Sequence, residues 1–204
     1  MKSTKDRILD TALVLFNTSG LAKVSLRTIA NKMGISQGNL NYHYKKREDI
    51  ITSLYFQLVE NINDNMPPMS PKTPQTLKLL FHISEAIMDN FFDYRFFLLD
   101  FVQIIRENEK IKTHYKELSQ IREQQFAGIF NQMIDNGIMR AEKLPNEYHF
   151  LYKRFQILGD FWLSSAATTQ QPISKKRITE YAQMIYPYLT QKGQKEFLLL
   201  TQKN

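Results

Sequence analysis

Cysteine is absent from the 204 residues, so neither disulfides nor thiolate chemistry is available, a composition that suits a reducing cytoplasm without requiring it. No run of about 18 apolar residues marks a membrane span, and MKSTKDRILD at the N-terminus lacks the continuous apolar segment of a signal peptide. A soluble cytoplasmic protein is therefore expected. Signatures of catalysis are missing as well. No Glu-x-x-His pair occurs at His43, His82, His114 or His149, and there is no Walker A loop, dinucleotide fingerprint or His-Glu-x-x-His zinc motif. The chain is expected to be no enzyme and to need no metal or cofactor. Internal repeats and low-complexity segments are also lacking. Aromatic residues are scarce early: Phe16, Tyr42 and Tyr44 are the ones in the first 45 residues, leaving 22 of 25 for the remainder.

What is present is a pattern of helices. With 43% hydrophobic residues the chain can bury a substantial core. Residues 5–18 predict a supporting helix with Ile8, Leu9, Ala12, Leu15 and Phe16 on its buried face. In residues 25–50, Ser25 can cap a helix whose Leu26, Ile29, Ala30 and Met33 share one side. Small Ala30 permits a close crossing, Gly34 can end the helix in the left-handed conformation, and Ile35 tucks under the turn. Ser36 then caps a second helix anchored by Leu40. Gln37, Asn39, Asn41 and Tyr42 lie on its other faces, and Gln and Asn amides can pair bidentately with adenine. His43, Lys45, Lys46 and Arg47 follow as cations able to hold phosphates, with Glu48 and Asp49 suited to the next helix N-terminus. The bland alternative is an ordinary helical corner with a solvated polar face.

Charge supports a polyanion partner. The first 50 residues hold nine Lys or Arg against four acids, net +5, within a whole-chain net of +7. A basic patch favours DNA through counterion release and fits RNA or a membrane surface equally. The basic residues flank a packed frame and have no long apolar face, which argues against a membrane.

Residues 8–55 resemble the three-helix DNA-binding domain and start of the fourth helix of the TetR family of bacterial transcriptional regulators; beyond them the likeness is in size and helical character. The resemblance implies an all-α fold with a helix-turn-helix domain, 1–46, and a larger helical regulatory domain for ligand binding and dimerisation, 47–204. It implies that Arg27, Gln37, Asn39 and Tyr42 reach base edges, that Gly38 lets the backbone approach DNA, and that His43 and Arg47 contact phosphates. Ser25, Lys45 and Lys46 join the phosphate candidates. Where the family commonly has Tyr this chain has Asn41, whose amide can bond a base or a phosphate.

The second region predicts a long helix over 47–65, a loop over 66–74 with four prolines, and helices over 75–90, 94–108, 109–136, 147–167 and 174–189. His82, Met88, Phe92, Phe96, Phe101, Phe126, Phe130 and Trp162 are candidates to line a cavity for a small apolar or aromatic effector; the competing reading is a filled core. On the 147–167 helix, Tyr148, Leu151, Tyr152, Phe155, Leu158, Gly159 and Trp162 form one apolar stripe, and Phe150, Ile157 and Phe161 another. A helix apolar on two sides needs two things to bury them, its own domain and a partner subunit, or else one large monomeric core. Tyr148, Tyr152, Phe155, Gly159, Tyr181 and Ile185 are the candidates for a homodimer interface. The function expected is a dimeric regulator of double-stranded DNA that reads a near-palindromic site and responds to a ligand, most often as a repressor. Activation, or control by a protein partner in place of a ligand, are the alternatives.

Overall fold

The computed structural model describes residues 2–66, 77–171 and 182–202. These residues are helical, with an isolated antiparallel bridge pairing Met139 and Leu189. They divide into two compact units, residues 1–61 with 90–115, and residues 62–89 with 116–204. The packing thus groups the chain differently from a single cut at 46/47.

In the first unit α1 spans Thr4–Ser19, and a capping box starts it: Ser3 Oγ accepts the Asp6 N–H at 3.2 Å while the Asp6 carboxylate accepts the Ser3 N–H at 3.2 Å. Ile8, Ala12 and Phe16 of α1 are fully buried, with Leu9 and Leu15 half-buried at the edge of that face. Gly20 at φ 81° stops the helix, and a short 3₁₀ turn, Leu21–Lys23, leads to α2, Leu26–Met33, and α3, Gln37–His43. The long α4, Arg47–Asn65, has the inner face that its helical spacing predicts at Ile50, Ile51, Leu54 and Leu58, all buried, with Ile62 of the same face half-buried and Tyr55 and Val59 buried as well.

The expected helix over 94–108 is two helices, α6 (Arg95–Leu99) and α7 (Phe101–Glu107), broken at Asp100, and α5 (Leu77–Asp93) precedes them. They join the first unit because their aromatic side chains have partners there. Phe96 stacks on Phe16 at 5.1 Å, Phe97 lies 5.2 Å from Tyr55, and Phe101 packs on Phe97 and Tyr115. Polar contacts fix the corner. The Asn17 amide donates to the Asp93 carbonyl at 2.7 Å and its oxygen accepts the Phe96 N–H at 3.0 Å, so one side chain serves both sides of the α5–α6 turn.

In the second unit, α8 (Glu109–Asp135, from residue 116 onward) and α9 (Glu147–Thr168) pack with α5 around Leu80, Ile83, Phe130, Met133 and Leu151. Gly137, at φ 66°, ends α8. The strand-like link after it is held by Arg140 N–H to Tyr188 O and Thr190 N–H to Ile138 O, both 2.9 Å. Arg140 and Glu147 form a two-pronged ion pair at 2.8 and 2.7 Å. That hydrogen bond, reinforced by the Lys143 N–H, holds the Glu147 carboxyl down at about 2. Most of the expected helix over 174–189 lies outside the described residues; its described end, Gln183–Tyr188, is a 3₁₀ helix containing Pro187. A final helix, α10 (Gln191–Thr201), capped by Thr190, was not anticipated.

Candidate DNA-binding surface and effector cavity

The turn between α2 and α3 is built as its residue types dictate. Ser25 Oγ accepts the Thr28 N–H at 3.2 Å, and Thr28 returns the bond to the Ser25 N–H. Gly34 adopts φ 68°, ψ 28°, which lets the Ile35 N–H reach the Ala30 carbonyl at 3.1 Å. Ser36 Oγ accepts the Asn39 N–H at 3.2 Å and so starts α3. Ile29, Ala30 and Leu40 are buried at 0–1% exposure. Leu40 sets the rotation of α3, and Leu40→Ala would cost about 2–5 kcal/mol.

That rotation leaves Gln37, Gly38 and Asn39 exposed and Tyr42 79% exposed, with Arg27 exposed on α2. Asn41 is turned further in. It is half-buried, and its Oδ1 is buried without a hydrogen-bond partner among the described residues. His43 is half-buried, edge-on to Tyr42 at 5.2 Å. Tyr44 is buried beneath, where desolvation raises its phenol pKa, and Lys5 lies 5.7 Å from its ring. Lys45 and Lys46 project into solvent, while the Lys46 backbone N–H is bonded to the Asp49 carboxylate at 2.9 Å. Arg47 differs from these lysines. Its guanidinium donates to the Leu21 carbonyl at 3.2 Å and lies 3.4 Å from Glu48, so it ties the start of α4 to the link after α1.

Within the second unit a cavity of about 100 Å³ opens between helices. From α5 come Leu80, Phe81, Ser84, Ile87 and Met88, a set recurring every three to four residues on one face. Phe126 of α8 and Phe155, Leu158 and Gly159 of α9 form other walls, and Ala182 and Ile185 complete the described lining. Ser84 is the polar side chain among these, and its hydroxyl donates to the Leu80 carbonyl at 2.8 Å.

Comparison with known families decides what this architecture is. Residues 8–54 match the model of the bacterial regulatory proteins, tetR family, and residues 57–197 match the TetR bacterial transcriptional repressor model. The chain belongs to the TetR family. It is thus a transcriptional regulator with a helix-turn-helix DNA-binding domain, all-α as expected. The uncharacterized HTH-type regulator YerO of Bacillus subtilis is 27% identical over 128 residues, 58% of this chain and 43% of that protein. The chain therefore matches less than half the length of that relative. A TetR-family regulator from Marinobacter aquaeolei VT8 superimposes with a TM-score of 0.84 at 25% identity, covering 99% of this chain and 98% of that one. A regulator from Saccharomonospora viridis, solved in complex with choline, gives 0.69 at 18% identity over 92% and 98% of the two chains.

In this TetR-family chain the other expected site residues are scattered. Met88 and Phe126 line the cavity. Phe92, Phe96 and Phe101 lie in the first unit, Phe96 stacked on α1 and Phe92 beneath the Arg95 guanidinium. Phe130 fills the core of the second unit, Trp162 is buried on α9, and His82 is exposed. None of these six is among the described cavity lining. The expected dimer stripe faces inward: Tyr148, Tyr152 and Ile185 are core residues, and Phe155 and Gly159 line the cavity, while Tyr181 lies outside the described residues. The outward stripe of α9 is the other one, Phe150, Ile157 and Phe161, exposed at 56%, 61% and 40%. Both stripes are apolar, and hydropathy alone does not rank them. Leu80, Ser84 and Ile87 also line the cavity, and nothing in their residue types distinguishes that face of α5 from an ordinary packed helix face.

Proposed function

We propose that this regulator is a ligand-responsive repressor that binds a near-palindromic operator as a homodimer. The observation that carries the reading is the solvent-facing side of α3, where Gln37, Asn39 and Tyr42 project beside exposed Lys45 and Lys46. Amide side chains suit base edges in the major groove and lysines suit phosphates on either side of it. In this reading residues 1–46 carry the DNA contacts, and 47–204 carry assembly and effector sensing. Arg27 and Gly38 add contacts on the same surface, Ser25 and His43 flank it, and Asn41, half-buried, contributes less.

Dimerisation is supported by the outward stripe of α9. Phe150, Ile157 and Phe161 recur at helical spacing, and a second copy would remove them from water. Two recognition helices held about one DNA turn apart would then read an inverted repeat. An effector in the cavity acts as an inducer only by preferring the arrangement that does not bind DNA, since equal affinity shifts nothing.

The test is selection of binding sites from random duplex DNA by the purified protein. An inverted repeat with fixed half-site spacing supports the proposal, and enrichment of a single half-site would remove its dimeric part. No enrichment at moderate salt would overturn it.

A further inference from the structure

Charge is missing from the described lining of the cavity. Leu80, Phe81, Ile87, Phe126 and Leu158 present hydrocarbon, and the described lining contains no Lys, Arg, His, Asp or Glu. A carboxylate or ammonium group placed there would leave water without a counter-charge to replace it, which disfavours every charged ligand. The polar group at hand is the Ser84 hydroxyl. Its proton is committed to the Leu80 carbonyl at 2.8 Å, so its remaining capacity is to accept. Among the described lining residues a ligand therefore meets a single side-chain hydroxyl acceptor in an apolar wall. Aliphatic amines carry a charge at neutral pH, which leaves a hydroxyl as the simplest neutral donor. Size adds a limit: the cavity measures about 100 Å³, and an apolar cavity of ~150 Å³ takes one benzene ring.

We propose that the cavity takes an uncharged alcohol or phenol, with an apolar body of about one ring or a short alkyl chain whose hydroxyl donates to Ser84 Oγ. The inference rests on the effector-sensing reading above and gives that effector its chemical class.

The experiment titrates the full-length protein calorimetrically with a matched one-ring set: phenol, benzene, benzoate and benzylammonium. Phenol is expected to bind saturably, with both ions at least about tenfold weaker. Ser84→Ala should weaken phenol about fivefold, the size of one lost hydrogen bond, and leave benzene unchanged. Ser84→Leu, which fills the space, should abolish both. Absence of saturable phenol binding, equal binding of either ion, or a Ser84→Ala variant with undiminished preference for phenol over benzene would overturn the proposal. A parallel titration on the selected operator separates the two readings. If the phenol binds as described but leaves DNA affinity unchanged, effector sensing fails and the ligand class stands. If an ion releases DNA and the phenol does not, effector sensing stands and the class falls.

Discussion

Gly193 lies in α10 where an added Cβ would sit 2.2 Å from the Ile138 carbonyl oxygen, a backbone atom already engaged by the Thr190 N–H. Gly193→Ala should therefore lower the free energy of unfolding by about 1–3 kcal/mol, an overpacking cost readable in a urea titration. The cations at the α3–α4 corner separate by what holds them. Lys46→Ala should flatten the salt dependence of operator binding by about one unit without lowering the melting temperature. Arg47→Ala should instead destabilise the fold by about 1–3 kcal/mol, because it strips the Leu21 carbonyl of a charged donor. Loss of salt slope in the arginine variant with unchanged stability would reverse this division. Glu147 gives a pH test. Its folded carboxyl titrates at about 2 and a free glutamate at 4.5, so the folded state binds fewer protons between those values. The stability from its pairing with Arg140 is complete above pH ~5, falls as the solution is acidified through 4.5, and is gone below about 2. The gap in melting temperature between the wild type and Glu147→Gln should close over that interval; a gap that stays constant would contradict the pairing.

At the scale of elements, the turn between α5 and α6 depends on a side chain 76 residues away, the Asn17 amide, which donates to Asp93 and accepts from Phe96. Asn17→Ala leaves the carbonyl of exposed Asp93 and the N–H of buried Phe96 to find new partners, and a loss of about 1–3 kcal/mol is expected in thermal unfolding. Faster hydrogen exchange at the Phe96 amide would localise the effect, and unaltered exchange there would refute it. The same contact shows where sequence reading stops. The helix-turn-helix was legible because Ser25, Ala30, Gly34, Ser36 and Leu40 each do a local job whose residue type announces it. The grouping of α6 and α7 with α1 was not, since Phe96 fits a cavity wall as well as a core until Phe16 is seen stacked on it. The break at Asp100 carries no proline or glycine. The two-sided apolarity of α9 could be read, but which side turns inward depends on α5 and α8, whose placement is tertiary. The short α10 escaped because its Gly193 looks like a breaker and is instead demanded by contact with Ile138.

For the molecule as a whole, the proposed assembly rests on a patch that costs little to alter in one copy. Ile157 is 61% exposed, so Ile157→Glu should leave single-chain folding intact while sedimentation shifts from dimer to monomer. Affinity for an inverted repeat should then drop by at least about tenfold, and a variant that remains dimeric would exclude this face. α9 also has a second obligation. Phe155, Leu158 and Gly159 shape the cavity, and Phe150, Ile157 and Phe161 lie on the opposite side of the same 22 residues. A change on α9 that reshapes the chamber thus also moves the surface offered to a second copy, whereas Ser84, Ile87 and Met88 on α5 carry no such burden. Diversification toward new chemical signals should accordingly run through α5 and leave α9 comparatively still, and a library built to re-aim the proposed sensor belongs on those three positions.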